Sequence, residues 1–194
     1  RAGSGASFFD SDNDGDLDLY VGNYIEFDPQ TQPPHMHKGL PAYPGPLKFP
    51  AETDRLLENL GNGQFADISK SAGISQVAGR SMGLVTLDYD NDQDIDVVIA
   101  NDSQQNFLFE NLGENRFEEV GLLAGVAFDF RGNSQASMGI SQADFDGDGL
   151  LDLYTTSLEN ELALLYRNLG DGLFQDATRL TKAGEATYPH VTWG

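Results

Sequence analysis

Three short stretches place aspartate at nearly every second position: DSDNDGDLD from Asp10, DYDNDQDID from Asp88 and DFDGDGLLD from Asp144. Together they hold fourteen of the 31 acidic residues. Such a pattern suits a hard divalent cation, because Ca2+ takes roughly six to eight oxygens and a short acidic loop can wrap them around it. In the first loop the expected side-chain donors are Asp10, Asp12, Asp14 and Asp18, with the backbone carbonyl of Asp16 and a turn at Gly15. The second offers Asp88, Asp90, Asp92 and Asp96 with the Asp94 carbonyl, but Gln93 stands where the glycine should be. Backbone strain and weaker binding are expected there. The third repeats the set as Asp144, Asp146, Asp148 and Asp152, with Gly149 at the bend and the Leu150 carbonyl. Four or five carboxylates within nine residues repel one another strongly without a counter-ion. About three Ca2+ ions are therefore expected, one per loop, and at +2 each they would bring the formal charge from -20 to -14.

An EF-hand loop begins in the same way but needs a glutamate at its twelfth position and a helix on either side. The twelfth positions here are Val21, Ile99 and Thr155, within runs that read as strands. The loops must therefore be held by β-structure. Leu84 to Leu87 leads into the second loop, and Ile95 to Ala100 leaves it as an almost wholly apolar run, the pattern of a buried strand. Asn106 to Glu110 and Arg116 to Val120 flank a glycine-containing turn, a hairpin signal. That gives four short strands per unit.

The units recur. Asn-Leu-Gly with a following Phe appears at Asn59 and Phe65, at Asn111 and Phe117, and at Asn168 and Phe174. Ser-Met-Gly precedes the second and third loops at Ser81 and Ser137, and Ala-Gly pairs follow at Ala72, Ala124 and Ala183. Four-stranded units of about this length, unable to bury both faces alone, predict an all-β fold of β-propeller blades, with a β-solenoid as the weaker alternative. The expected organisation is one propeller domain over 1–194: repeat 1 at about 3–69, repeat 2 at about 81–120, repeat 3 at about 137–178, and the start of repeat 4 at about 188–194. Three complete blades do not close a ring, so the chain reads as part of a longer propeller. Residues 28–50 interrupt repeat 1 with seven of the eight prolines and read as an ordered surface excursion.

Composition excludes several function classes. A formal charge of -20 argues against nucleic acid or an anionic membrane as partner. The absence of cysteine removes disulfides, thiolate metal sites and cysteine nucleophiles. No apolar run is long enough for a membrane-spanning helix. His35 and His37 could contribute to a copper, zinc or haem site but lack a third donor nearby, so a plain surface loop is expected; His190 is assigned to the last inner strand. Ser81, Met82 and their counterparts are expected to pack near the propeller axis. No Ser-His-Asp set and no phosphate-cradling glycine loop can be assembled.

The order Ser-Met-Gly, DYDNDQDID, Asn-Leu-Gly and Phe resembles the FG-GAP or VCBS repeats of integrin alpha-subunit propellers and many secreted bacterial proteins. Thr53 to Ser69, Gly121 to Ala127 and Ala136 to Thr156 resemble more specifically the ASPIC/UnbV group, related to cartilage acidic proteins. The resemblance implies a propeller of about seven blades, calcium in the three loops and export from the cytoplasm. Gln93 departs from the repeat pattern.

The expected function is a non-catalytic, calcium-stabilised scaffold outside the cytoplasm, secreted, periplasmic or at the cell surface, that binds a protein or glycan partner. Loops of this kind fill where calcium is millimolar. One alternative is a propeller enzyme such as a polysaccharide lyase, which needs clustered basic residues, whereas Lys38, Lys48, Arg55, Arg80 and Arg131 are scattered. Another is an accessory subunit of a larger complex, docked through the proline-rich excursion.

Overall fold

The computed structural model describes residues 2–30 and 35–193; Arg1, Gly194 and residues 31–34 of the proline-rich excursion lie outside the described residues. The described chain is all-β, with three successive antiparallel sheets. The first contains β1 (Ala2–Phe9) and β2 (Asp18–Ile25). Between β2 and the next strand of that sheet the excursion forms a minimal hairpin, β3 (Met36–His37) with β4 (Leu40–Pro41). Then β5 (Arg55–Asn59) and β6 (Phe65–Asp67) complete the order β1-β2-β5-β6.

The second sheet runs β7 (Ser81–Leu87), β8 (Asp96–Gln104), β9 (Phe107–Asn111) and β10 (Phe117–Glu119). A one-turn helix, α1 (Gly121–Ala124), follows; β11 (Gln135–Ala136) then pairs with the far end of β8. The third sheet is β12 (Ile140–Ala143), β13 (Asp152–Thr155), β14 (Leu164–Asn168) and β15 (Phe174–Asp176), followed by α2 (Thr178–Thr181). Each acidic loop joins the first two strands of its sheet.

The strand period of two decides which side chains enter which core. Val97 and Ile99 of β8, with Phe107 and Phe109 of β9, face the first sheet and pack with Phe9, Tyr20, Leu56 and Ile74. Val98 and Leu108 face the other way, against Leu153, Leu164, Tyr166 and Phe174 of the third sheet. The middle sheet is thus buried on both faces, which explains its apolar run at 97–100.

The Ala-Gly pairs latch one sheet to the next. A Cβ on Gly73 would stand 2.4 Å from the Phe117 carbonyl oxygen, and one on Gly125 would stand 2.5 Å from that of Phe174. Both glycines have φ near +90° as well, so the position excludes any side chain. The inner strands also approach closely, with a Cβ on Gly83 falling 2.6 Å from the Met138 carbonyl oxygen. Met82, Met138 and Trp193 line one cavity beside these strands. Residues 188–193, where the repeat spacing places a fourth unit, form no strand, and His190 ends a turn by donating its N–H to the Thr187 carbonyl at 2.8 Å. A strand exists only against a hydrogen-bonded neighbour, and the Thr192 N–H on the Ser157 carbonyl (3.0 Å) and the Asn160 N–H on the Tyr188 carbonyl (2.7 Å) form no ladder among the described residues.

The buried Asp54 carboxylate ties the first sheet to the second. It accepts from the Asn23 N–H at 2.7 Å, the Tyr20 hydroxyl at 3.1 Å and the Ser81 hydroxyl at 2.8 Å. Burial pushes its carboxyl up to about 6 in spite of these bonds, which favour the charged form. Because the folded value is raised above the unfolded one, the contribution is present below about pH 4 and lost as pH rises through about 6. Relative to Asp54→Asn, the wild-type chain is therefore expected to lose about 2–3 kcal/mol between pH 4 and pH 7 in urea unfolding. Parallel stability profiles for the two proteins would show that Asp54 does not titrate in this way.

Candidate metal centres

The three acidic loops fold alike because their own carboxylates organise their backbone. In the first, Asp10 accepts the N–H of Asp14 at 3.1 Å and of Gly15 at 3.0 Å, while Asp14 accepts that of Asp16 at 2.9 Å. In the second, Asp88 accepts from Asp92 and Gln93 at 3.1 and 3.0 Å, and Asp92 from Asp94 at 2.8 Å. In the third, Asp144 accepts from Asp148 and Gly149 at 3.1 and 2.9 Å, and Asp148 from Leu150 at 3.0 Å. These donated bonds, with that from Gly149 foremost, draw the Asp144 carboxyl below its ordinary value.

This folding gathers the first, third and ninth aspartates of each loop. Asp10 with Asp12 and Asp18, Asp88 with Asp90 and Asp96, and Asp144 with Asp146 and Asp152 each present carboxylate oxygens within 4.8 Å of one another. The fifth-position carboxylates of Asp14, Asp92 and Asp148, expected among the donors, are not in these groups, and each accepts the N–H two residues on, as the third-position aspartates also do. The donor set consists of carboxylate oxygens, which suits a hard cation such as Ca2+ rather than a soft one. A further oxygen in the first loop, Asp16 Oδ1, is buried without a hydrogen-bond partner. It offers a lone pair that a cation could take, although only the backbone carbonyl of Asp16 was expected to contribute.

The ninth aspartate has a second task. Asp18, Asp96 and Asp152 are each buried to 1% exposure. One oxygen accepts the N–H of the loop's second residue, from Ser11, Tyr89 or Phe145, at 3.0–3.1 Å. The other accepts the N–H of the Asn-Leu-Gly asparagine, Asn59, Asn111 or Asn168, at 2.7–2.9 Å. Burial, with the neighbouring Asp90 and Asp92 charges adding to it, pushes the Asp96 carboxyl up to about 8. A carboxylate so placed is satisfied by a proton or by a cation.

The asparagines were legible in the sequence as a repeat marker, but their role was not. Asn111 Nδ2 donates to the Ser11 carbonyl of the preceding sheet's loop at 2.9 Å, and Asn168 Nδ2 to that of Tyr89 at 2.8 Å. Each also reaches its own loop, at the carbonyl of Ile95 (3.2 Å) or Leu151 (3.3 Å). The same Asn oxygen accepts the N–H of the glycine two residues on, which forms the turn. Asn115 adds another contact between sheets, donating to Asp12 Oδ2 at 2.9 Å, and Asn13 donates to Asp94 Oδ1 at 2.6 Å. The first two loops therefore lie along the two seams between successive sheets.

Gln93 adopts φ +80°, close to the +94° of Gly15 and +93° of Gly149. The loop thus keeps the glycine geometry with a side chain that disfavours it. Gln93→Gly is expected to raise stability by about 1 kcal/mol in urea unfolding; a neutral or destabilising outcome would show that the glutamine makes compensating contacts. Asn111→Ala removes one buried amide at the first seam and leaves two carbonyls short of a donor. A loss of about 1–3 kcal/mol is expected, and an unchanged unfolding midpoint would discount the clasp.

Residues 88–155 match the family model of the FG-GAP-like repeat. The matched span starts at the second acidic loop and takes in β8 to β13 together with the third loop. No curated protein matches the chain. The chain thus carries an FG-GAP-like repeat within an all-β architecture of successive antiparallel sheets.

Proposed function

We propose that the chain is a calcium-stabilised, extracytoplasmic β-propeller scaffold that binds a protein or glycan partner without catalysing a reaction, and that it belongs with the ASPIC/UnbV group its longer motifs resemble. The observation that carries the calcium reading is the threefold recurrence of carboxylate oxygens within 4.8 Å of one another at strand junctions. Asp10, Asp12 and Asp18 and their counterparts would hold the ion. Its contribution is charge neutralisation and a fixed strand connection at each seam. The FG-GAP-like repeat supports placement outside the cytoplasm, since repeats of this kind are often extracellular and of binding type. Calcium at millimolar concentration there would keep such loops filled. Among the described residues, no helix is long and apolar enough to cross a membrane.

The non-catalytic reading draws support from the engagement of the basic side chains. Arg55 pairs with Asp67, Arg80 bonds the Phe49 carbonyl and Gln104, and Arg131 lies over the Phe130 ring. Lys38 is exposed on the excursion. A lyase would need such cations converging on one acidic sugar. The accessory-subunit alternative has an observation of its own, because Met36, Leu40, Tyr43 and Leu47 on the excursion are exposed, Tyr43 to 94%. Those apolar side chains would cover a partner.

Thermal unfolding in millimolar calcium and in excess chelator tests the first premise. A single site at a hundredfold excess over its Kd adds about 2.7 kcal/mol, so a fall of roughly 5–10 °C on chelation is expected for a domain of this size. Equal midpoints in the two buffers would remove calcium from the account.

A further inference from the structure

Glu58, Glu110 and Arg167 occupy the same place in the three sheets, each directly before the Asn-Leu-Gly asparagine. In the third sheet the side chain there contacts its own acidic loop directly, and in the first it meets an amide that is bonded to that loop. Glu58 Oε1 lies 3.5 Å from Asn115 Nδ2, the same amide that donates to Asp12. Glu110 is held above its ordinary carboxyl value by burial and then by the charges of Asp90 and Asp92. Arg167 reverses the sign: its Nε stands 2.6 Å from Asp146 Oδ2 and a terminal guanidinium nitrogen 3.1 Å from Asp148 Oδ2.

We propose that this position sets the cation affinity of its loop, and that Arg167 makes the third loop the weak calcium site. The inference rests on the calcium reading given above. Loops one and two each bring five aspartates and a glutamate, formally -6, whereas the third brings four aspartates and an arginine, formally -3. Affinity in oxygen-only loops follows the number of ligand charges and the rigidity of the site. A cation entering the third loop meets carboxylates already partly neutralised and a fixed positive charge beside them. The guanidinium also holds that loop together without an ion. Loops one and two therefore depend on calcium for their closure, and loop three keeps its shape when calcium is scarce.

A calcium titration followed by 15N–1H NMR on the whole chain separates the sites. The amides of Gly15, Gln93 and Gly149 each donate to the first aspartate of their own loop and so report on it alone. In the wild-type chain the Gly149 amide is expected to titrate at a calcium concentration about tenfold or more above that of Gly15. Arg167→Gln should lower the Gly149 midpoint by about tenfold, and Glu110→Arg should raise the Gln93 midpoint by a similar factor, with the other loops unmoved. Coincident Gly149 and Gly15 midpoints in the wild type, or a Gly149 midpoint unchanged in Arg167→Gln, would overturn the assignment. If none of the three amides responds to calcium in any of these proteins, the calcium reading itself falls and this inference with it.

Discussion

A carboxylate buried between a loop and two strands organises each sheet of this protein. Asp18, Asp96 and Asp152 hold the start of the loop with one oxygen and the Asn-Leu-Gly asparagine with the other. Removing such a side chain would leave buried backbone donors without acceptors, a cost comparable to that of the lost bonds themselves. Keeping it costs desolvation of an anion, and at Asp96 that burial raises the carboxyl well above its ordinary value. The acidic loop is arranged around this compromise, and a divalent ion at its mouth would relieve it.

From that junction the contacts spread outward to the neighbouring sheet. The asparagine bonded to the buried carboxylate also bonds the preceding loop, so the geometry of one unit fixes the seam with the one before it. Apolar side chains alternate along β8 to fill the cores on both sides. The Ala-Gly connectors then close the outer edge, where only a glycine fits against the next sheet's last strand. Polar clasp, apolar layer and glycine latch therefore repeat together at both seams, with the first two acidic loops on the line where sheets meet.

The repeats are alike in backbone but not in charge. A glutamine carries the positive φ in the second loop, and an arginine faces the acids of the third. The backbone tolerates the first difference because the surrounding Asp88 and Asp92 bonds still form. The second changes the electrostatics without changing the fold. The three loops thus share one backbone geometry while differing in formal charge.

The sequence by itself determined the all-β class, the position of the three loops and their acidity, because aspartate spacing, strand period and turn glycines are local properties that survive in one dimension. It also marked Gln93 as a residue out of place, since the need for positive φ at that point belongs to the loop alone. What only the tertiary structure decided is partnership across units. Nothing local to Asn111 reveals that its amide reaches Ser11, a hundred residues earlier. Nor does the sequence show that Arg167 lies on the third loop. Spacing encodes which residues are near along the chain; which charges share a few ångströms of low-dielectric space depends on how the sheets stack, and that is set by the packing of all of them together.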